Sequence, residues 1–124
     1  MSAAARLAAV SLDTDDPAGL ASFYKELLGL EDYFSSDDFV ALKGGPLLLT
    51  FQRVKEHIKP TWPTGAAPKQ VHLEVAVTDL AASERAARSL GATRAAEQPA
   101  PGKWIVLLDP SGHPFCITTL IPEP

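Results

Sequence analysis

The alternation of apolar and polar residues is sharpest at Gln70-Val71-His72-Leu73-Glu74-Val75-Ala76-Val77-Thr78-Asp79. Successive side chains of a strand point to opposite faces. Val71, Leu73, Val75 and Val77 are therefore expected on one apolar face, and His72, Glu74 and Ala76 on the other. The apolar face calls for a helix to cover it, and the pattern supplies one. Asp79 suits an N-cap, Leu80, Ala87 and Leu90 fall on one side, and Glu84, Arg85 and Arg88 fall mainly on the other before Gly91 ends the helix. This stripe is alanine-rich and thin, which predicts a close, shallow contact with a sheet.

The same unit occurs once before. Ala8 to Thr14 lead through Asp15 into Asp16-Pro17, an N-cap followed by a proline at the first helical position. Leu20, Phe23, Tyr24, Leu27 and Leu28 then fall at i, i+3, i+4, i+7 and i+8, and Gly29 closes the helix. Setting Asp16 against Asp79 matches Val10 with Leu73, Leu12 with Val75 and Thr14 with Val77. On the other face Ala9 matches His72 and Ser11 matches Glu74, so the scaffold repeats while the polar face changes.

After each helix come three short strand-like runs. They are 32–35, 39–42 and 47–54 in the first half and 93–97, 103–108 and 115–120 in the second. Breaks at Ser36-Asp37-Asp38, Gly44-Gly45-Pro46, Pro99-Ala100-Pro101-Gly102 and Asp109-Pro110-Ser111-Gly112 provide the turns. Each half thus reads β-α-β-β-β, an α+β arrangement, with module one at about 5–54 and module two at about 70–121. Between them, Lys55 to Lys69 holds three prolines and a glycine and reads as a linker.

Composition narrows the function classes. A chain of 124 residues suits one domain of two modules. It has no apolar run of membrane-spanning length and no charged-then-apolar leader, and its single cysteine, Cys116, fits a reducing cytoplasm. A net charge of −4 with scattered Lys and Arg leaves no basic stripe for nucleic acid.

Paired βαβββ modules carrying Asp16-Pro17-Ala18-Gly19-Leu20-Ala21-Ser22-Phe23-Tyr24-Lys25-Glu26-Leu27-Leu28-Gly29, then Val71-His72-Leu73-Glu74-Val75-Ala76-Val77-Thr78-Asp79-Leu80, resemble the vicinal oxygen chelate superfamily. This is the group of glyoxalase I, extradiol dioxygenases, fosfomycin-resistance enzymes and bleomycin-resistance proteins. Asp109-Pro110-Ser111-Gly112-His113-Pro114-Phe115-Cys116-Ile117 resembles its C-terminal hairpin. Leu49 to Val54 and the His72-x-Glu74 pair are most similar to the glyoxalase-like branch common in actinobacteria. The resemblance spans essentially the whole chain as one domain, 1–124. It implies a curved mixed sheet around a central cup, and a homodimer, which is also the commonest symmetric assembly.

It further implies four metal-ligand positions, on the first and last strands of each module. In this chain they fall on Ala9, on or near Thr50 or Gln52, on His72 and on Cys116. Ala9 has no donor, so no metal and no other cofactor are expected. What the resemblance leaves is a metal-free cup that binds a small molecule, with Gln52, His72, Glu74, Trp62, Trp104 and Cys116 as lining residues. Trp62, Trp104, Phe51 and Tyr33 are available for stacking, although Phe23, Phe39, Phe51 and Phe115 are expected mainly in the core. One alternative is a metal-free enzyme with His72 as general acid or base beside Glu74. Another is a metal-dependent lyase or dioxygenase with an atypical site of Gln52, His72 and Cys116. A purely structural domain would fill its own cup. Arg53, His57 and His113 read as surface or turn residues, and Cys116 as a small buried thiol.

Overall fold

The computed structural model describes residues 3, 4 and 6–122, so the expected start of module one at Ala5 and the chain ends lie outside the described residues. The chain divides into two compact units, residues 1–57 and 58–124. The first contains β1 (Ala9–Thr14), α1 (Pro17–Leu28), β2 (Glu31–Ser35), β3 (Phe39–Lys43) and β4 (Leu48–Arg53). The second contains β5 (Leu73–Ala76), α2 (Leu80–Leu90), β6 (Thr93–Arg94), β7 (Trp104–Leu108) and β8 (Pro114–Thr118). The sheets run β1-β4-β3-β2 and β5-β8-β7-β6, each with its first and last strands parallel and the rest antiparallel. This equivalence is the duplication read from the sequence.

In the first unit the helix stripe packs as its spacing predicts. Leu20, Phe23 and Tyr24 are buried, and Tyr24 stacks on Phe51 of β4 at 5.8 Å between ring centroids. The Asp16 carboxylate accepts from Gly19 N at 3.0 Å, and Gly29 takes the left-handed φ of 65° that lets the chain leave the helix. Arg53 ties the 36–38 turn to the end of β1, donating to the carbonyls of Asp37 and Asp15.

In the second unit Phe115 and Ile117 of β8 and Leu107 of β7 are buried, with α2 packed against both strands. Ala87 is the buried residue of α2, in keeping with the thin stripe, whereas Leu90 stays 39% exposed. Glu84, expected on the solvent side, pairs with Arg94 of β6 at 2.7 Å. The Asp79 carboxylate accepts from Ala82 N at 3.0 Å. Asp79→Ala is expected to lower stability by about 1 kcal/mol, read from the midpoint of urea unfolding.

Two expectations shift. Val71, expected on the apolar face, is 78% exposed because β5 begins only at Leu73. One step before the Leu73–Phe115 pair the register reaches Pro114, which has no N–H to give a ladder. Within the expected linker, the segment from Ile58 belongs to the second unit. It forms a loop closed by Thr61 N to Ala67 O at 2.8 Å and Lys69 N to Thr61 O at 3.1 Å.

Candidate functional site

The second sheet has one face toward α2 and one free of it. Directly paired residues share a face, so Glu74, Cys116 and Val106 lie side by side across β5, β8 and β7. Cys116, Val106 and Ala95 form a buried apolar cluster, with Trp62, Trp104 and Leu108 packed on it. His72 sits just before β5, with its Nε2 2.6 Å from Glu74 Oε1. Same-face residues two apart on a strand have Cα atoms roughly 7 Å apart, so this bond depends on rotamers that turn both side chains inward. With its proton on Nε2, the imidazole donates and the carboxylate accepts.

The polar end of this face is therefore His72, Glu74 and Cys116, whose donor atoms all lie within 4.8 Å of one another. The imidazole is 30% exposed and the carboxylate 46%, so both are reachable from solvent. Burial first, and the Glu74 carboxylate second, push the Cys116 thiol up to about 11, against a smaller opposing pull from Lys69. At neutral pH the thiol keeps its proton and is a poor nucleophile. Iodoacetamide at pH 7.5 is expected to alkylate Cys116 far more slowly in the folded protein than in urea, as mass spectrometry would show.

Trp62 is held from three sides. Its indole Nε1 donates to Glu97 O at 3.3 Å, Lys69 Nζ lies 4.2 Å from its ring centroid, and its body packs on the apolar cluster. Trp104 pairs in register with Thr118 and is half-buried. Gln98 went unnoticed in the sequence: its amide bonds to Ala95 O and to both the N–H and C=O of Val106. It satisfies the edge of β7 beyond the short β6. A Gln directly before a proline-rich turn carries no local signal of that role.

The remaining candidates lie elsewhere. Gln52 is exposed in the first unit, its amide donating to the carbonyls of Asp38 and Arg53. By register Thr50, paired with Ser11, occupies in the first sheet the place Cys116 occupies in the second. Ala9 offers no donor. Phe51 is fully buried in the core, and Tyr33 stands 61% exposed on edge strand β2. His57 is half-buried rather than exposed, and the backbone N–H of His113 donates to the Asp109 carboxylate in the β7–β8 turn. An open depression bounded by Thr78, Ser83, Thr119 and Ile121 lies beyond the other end of β5 from His72. It carries no titratable side chain, so the chemistry points to the His72 end.

A family profile described as a glyoxalase-like domain matches residues 9–118. The chain belongs to the glyoxalase-like domain family. The fold of this glyoxalase-like chain is shared with solved structures. A glyoxalase/bleomycin resistance protein/dioxygenase family enzyme from Burkholderia phytofirmans PsJN matches with a TM-score of 0.73 at 21% identity, covering 94% of this chain and 100% of that one. Lactoylglutathione lyase from Agrobacterium tumefaciens matches at 0.62 and 19%, covering 94% and 93%. The fosfomycin resistance protein FosX from Listeria monocytogenes, solved with Mn(II) and a dihydroxypropylphosphonic acid, matches at 0.72 and 16%, covering 94% and 93%. Identities this low show the fold alone. No protein of curated function matches the sequence. Two four-stranded mixed sheets with one helix each are the tandem modules of the glyoxalase/bleomycin resistance/dioxygenase superfamily. Among the described residues, no helix is long and apolar enough to cross a membrane.

A metal is implied by this superfamily, so the donor set bears on whether one fits. An imidazole nitrogen, a carboxylate oxygen and a thiol sulfur within 4.8 Å are donors that zinc accepts. The residues present thus fit a borderline-soft ion better than manganese, which favours oxygen and nitrogen.

Proposed function

We propose that this glyoxalase-like protein binds a partly apolar, planar small molecule bearing a carbonyl or hydroxyl group, either to sequester it or to sense it. The ligand lies on the face of the second unit's sheet that carries Trp104, Cys116 and Glu74, and its binding requires no metal. The observation that supports this reading is the 2.6 Å His72–Glu74 pair set beside an apolar patch with two indoles. A site of that composition offers stacking surface and a single polar anchor, which is how small-molecule sites fix orientation. The protein is read as cytoplasmic from its lone buried thiol, and as a homodimer because two-fold assemblies are the commonest symmetric ones.

A second reading is favoured by the same hydrogen bond. A carboxylate that orients an imidazole leaves the ring poised to move a proton next to a carbonyl. Glu74 then positions the ring and His72 is the catalytic residue. Deuterium uptake alpha to the carbonyl of 2-tetralone, followed by NMR in heavy water, tests this: uptake that vanishes in His72→Ala supports an enzyme, and no uptake leaves binding alone.

The test of binding is tryptophan fluorescence of chelator-treated protein titrated with coumarin, a planar carbonyl compound. Saturable quenching is expected, weakened about tenfold or more in His72→Ala as a hydrogen bond to a polar anchor is lost. Quenching that does not saturate, or that is the same in Trp104→Phe, Trp62→Phe and His72→Ala, contradicts the reading.

A further inference from the structure

We infer that Lys69 is a charge-recognition residue of the same site, and that the small molecule held there is a planar organic acid whose carboxylate meets the Lys69 ammonium. The inference rests on the binding reading above and adds to it a second anchor, opposite in charge to Glu74.

Lys69 stands apart from the other cations of the second unit. Lys59, Arg85 and Lys103 are exposed, and Arg88 and Arg94 share the Glu84 carboxylate. Lys69 is half-buried, and among the described residues its ammonium makes no ion pair. A lysine drawn out of water ordinarily brings a carboxylate with it, because desolvating a lone charge is costly. What meets this one is the Trp62 ring, whose centroid lies 4.2 Å from Nζ. The negative face of an indole holds a cation without cancelling its charge, so the ammonium keeps charge and donors for an incoming anion.

The backbone fixes where that charge stands. Lys69 N donates to Thr61 O at 3.1 Å and Thr61 N donates to Ala67 O at 2.8 Å, so Trp62 and Lys69 flank the neck of one closed loop. Trp62 is itself tied down, through Nε1 to Glu97 O and by packing on the cluster that contains Cys116. Lys69 and Glu74 both act electrostatically on the Cys116 thiol, with opposite sign. The apolar patch is therefore within reach of two opposite charges, the Lys69 ammonium and the Glu74 carboxylate held by His72. Glu74 repels an anion and Lys69 attracts it. An acid then binds in one orientation, with its carboxylate on Lys69 and its neutral carbonyl or hydroxyl group at His72. A neutral ligand lacks the first of these contacts.

The experiment is calorimetric titration of chelator-treated full-length protein with coumarin-3-carboxylate and, separately, with its neutral methyl ester. The two probes share a ring system and a carbonyl and differ in charge. The acid is expected to bind about tenfold tighter or more, the scale of a charge-assisted hydrogen bond. In Lys69→Met the acid falls to the affinity of the ester, and the ester is little changed. Lys69→Arg retains the preference, since a guanidinium also stacks on indole and pairs with carboxylate. A lysine that merely covered Trp62 would, on removal, weaken acid and ester alike. Raised salt narrows the gap in the native protein. Circular dichroism and thermal melts establish that each variant is folded, and the acid-to-ester ratio of the native protein tests the inference without any variant. An acid bound no tighter than its ester overturns the inference and leaves the binding reading standing. A preference that survives in Lys69→Met overturns it as well. If neither probe binds, both readings fall.

Discussion

Truncating Phe51 to alanine is expected to destabilise the protein by about 3–5 kcal/mol. Phe51 lies on β4, between β1 and β3, and is fully buried. Its ring lies against Tyr24 at an interplanar angle of 17°, and Tyr24 in turn meets Phe23 edge-on at 4.9 Å. Removing the phenyl group takes away its transfer free energy and leaves a void walled by a sheet on one side and a helix on the other, neither free to collapse. Domains of this size are typically stable by only about 5–15 kcal/mol, so the loss brings the variant close to unfolding. Ile117 holds the matching place in the second sheet and is also fully buried. The urea midpoint of Phe51→Ala should fall steeply with an unchanged slope. A loss under about 1 kcal/mol would mean that the α1–sheet contact contributes little.

The second large effect is alkaline destabilisation through Cys116. The folded-state pKa of about 11 stands above the usual 9.0, so the unfolded chain gives up its proton first as pH rises. The stabilisation from keeping the thiol neutral is complete below about 9 and is lost progressively between about 9 and 11. A gap of that size corresponds to about 2–3 kcal/mol. The informative quantity is the difference between the native sequence and Cys116→Ser, whose hydroxyl does not ionise in that window. The native protein should lose stability faster between pH 9 and 11 by that amount, measured by urea unfolding at each pH. Parallel slopes would mean that water reaches the thiol and that its neighbours do not hold it neutral.

Much of the scaffold was legible because its signals are local. Asp16-Pro17 and Asp79 cap helices within three residues of themselves, Gly29 and Gly91 end them, and the Asp109 turn closes through its own carboxylate. The duplication extended those signals to both halves, and the matching sheet orders follow from it. Non-local contacts were harder to read. The alternation of residues 70–77 predicts a strand from its start, but pairing halts opposite Pro114, and Val71 is left outside. Glu84 looked solvent-facing on a helical wheel because nothing in α2 reveals Arg94 on the next strand.

The candidate site shows the same division. His72 and Glu74 stood out through strand alternation, and Cys116 through its family position. Their meeting depends on the parallel β5–β8 register, which joins residues about forty positions apart and has no sequence marker. That register also made Glu74 the neighbour of the thiol, where position-by-position comparison had offered Gln52. Trp62 stands out in the sequence by its place among prolines. Its docking on the Ala95–Val106–Cys116 cluster, with Lys69 above the ring, needs the closed loop from Thr61 to Lys69.

The central claim is that the face bearing Trp62, Trp104, His72 and Glu74 is where a ligand binds. The most direct measurement is an NMR titration of nitrogen-15-labelled, metal-free protein with coumarin, following the two indole N–H signals and the His72 ring. The account predicts saturable shifts in both indoles and in His72 with a single affinity, small changes around Thr78 and Ser83, and loss of the indole shifts in Trp104→Phe and Trp62→Phe for the indole removed. Shifts centred on Thr78 and Ser83, with both indoles and His72 unmoved, would contradict it.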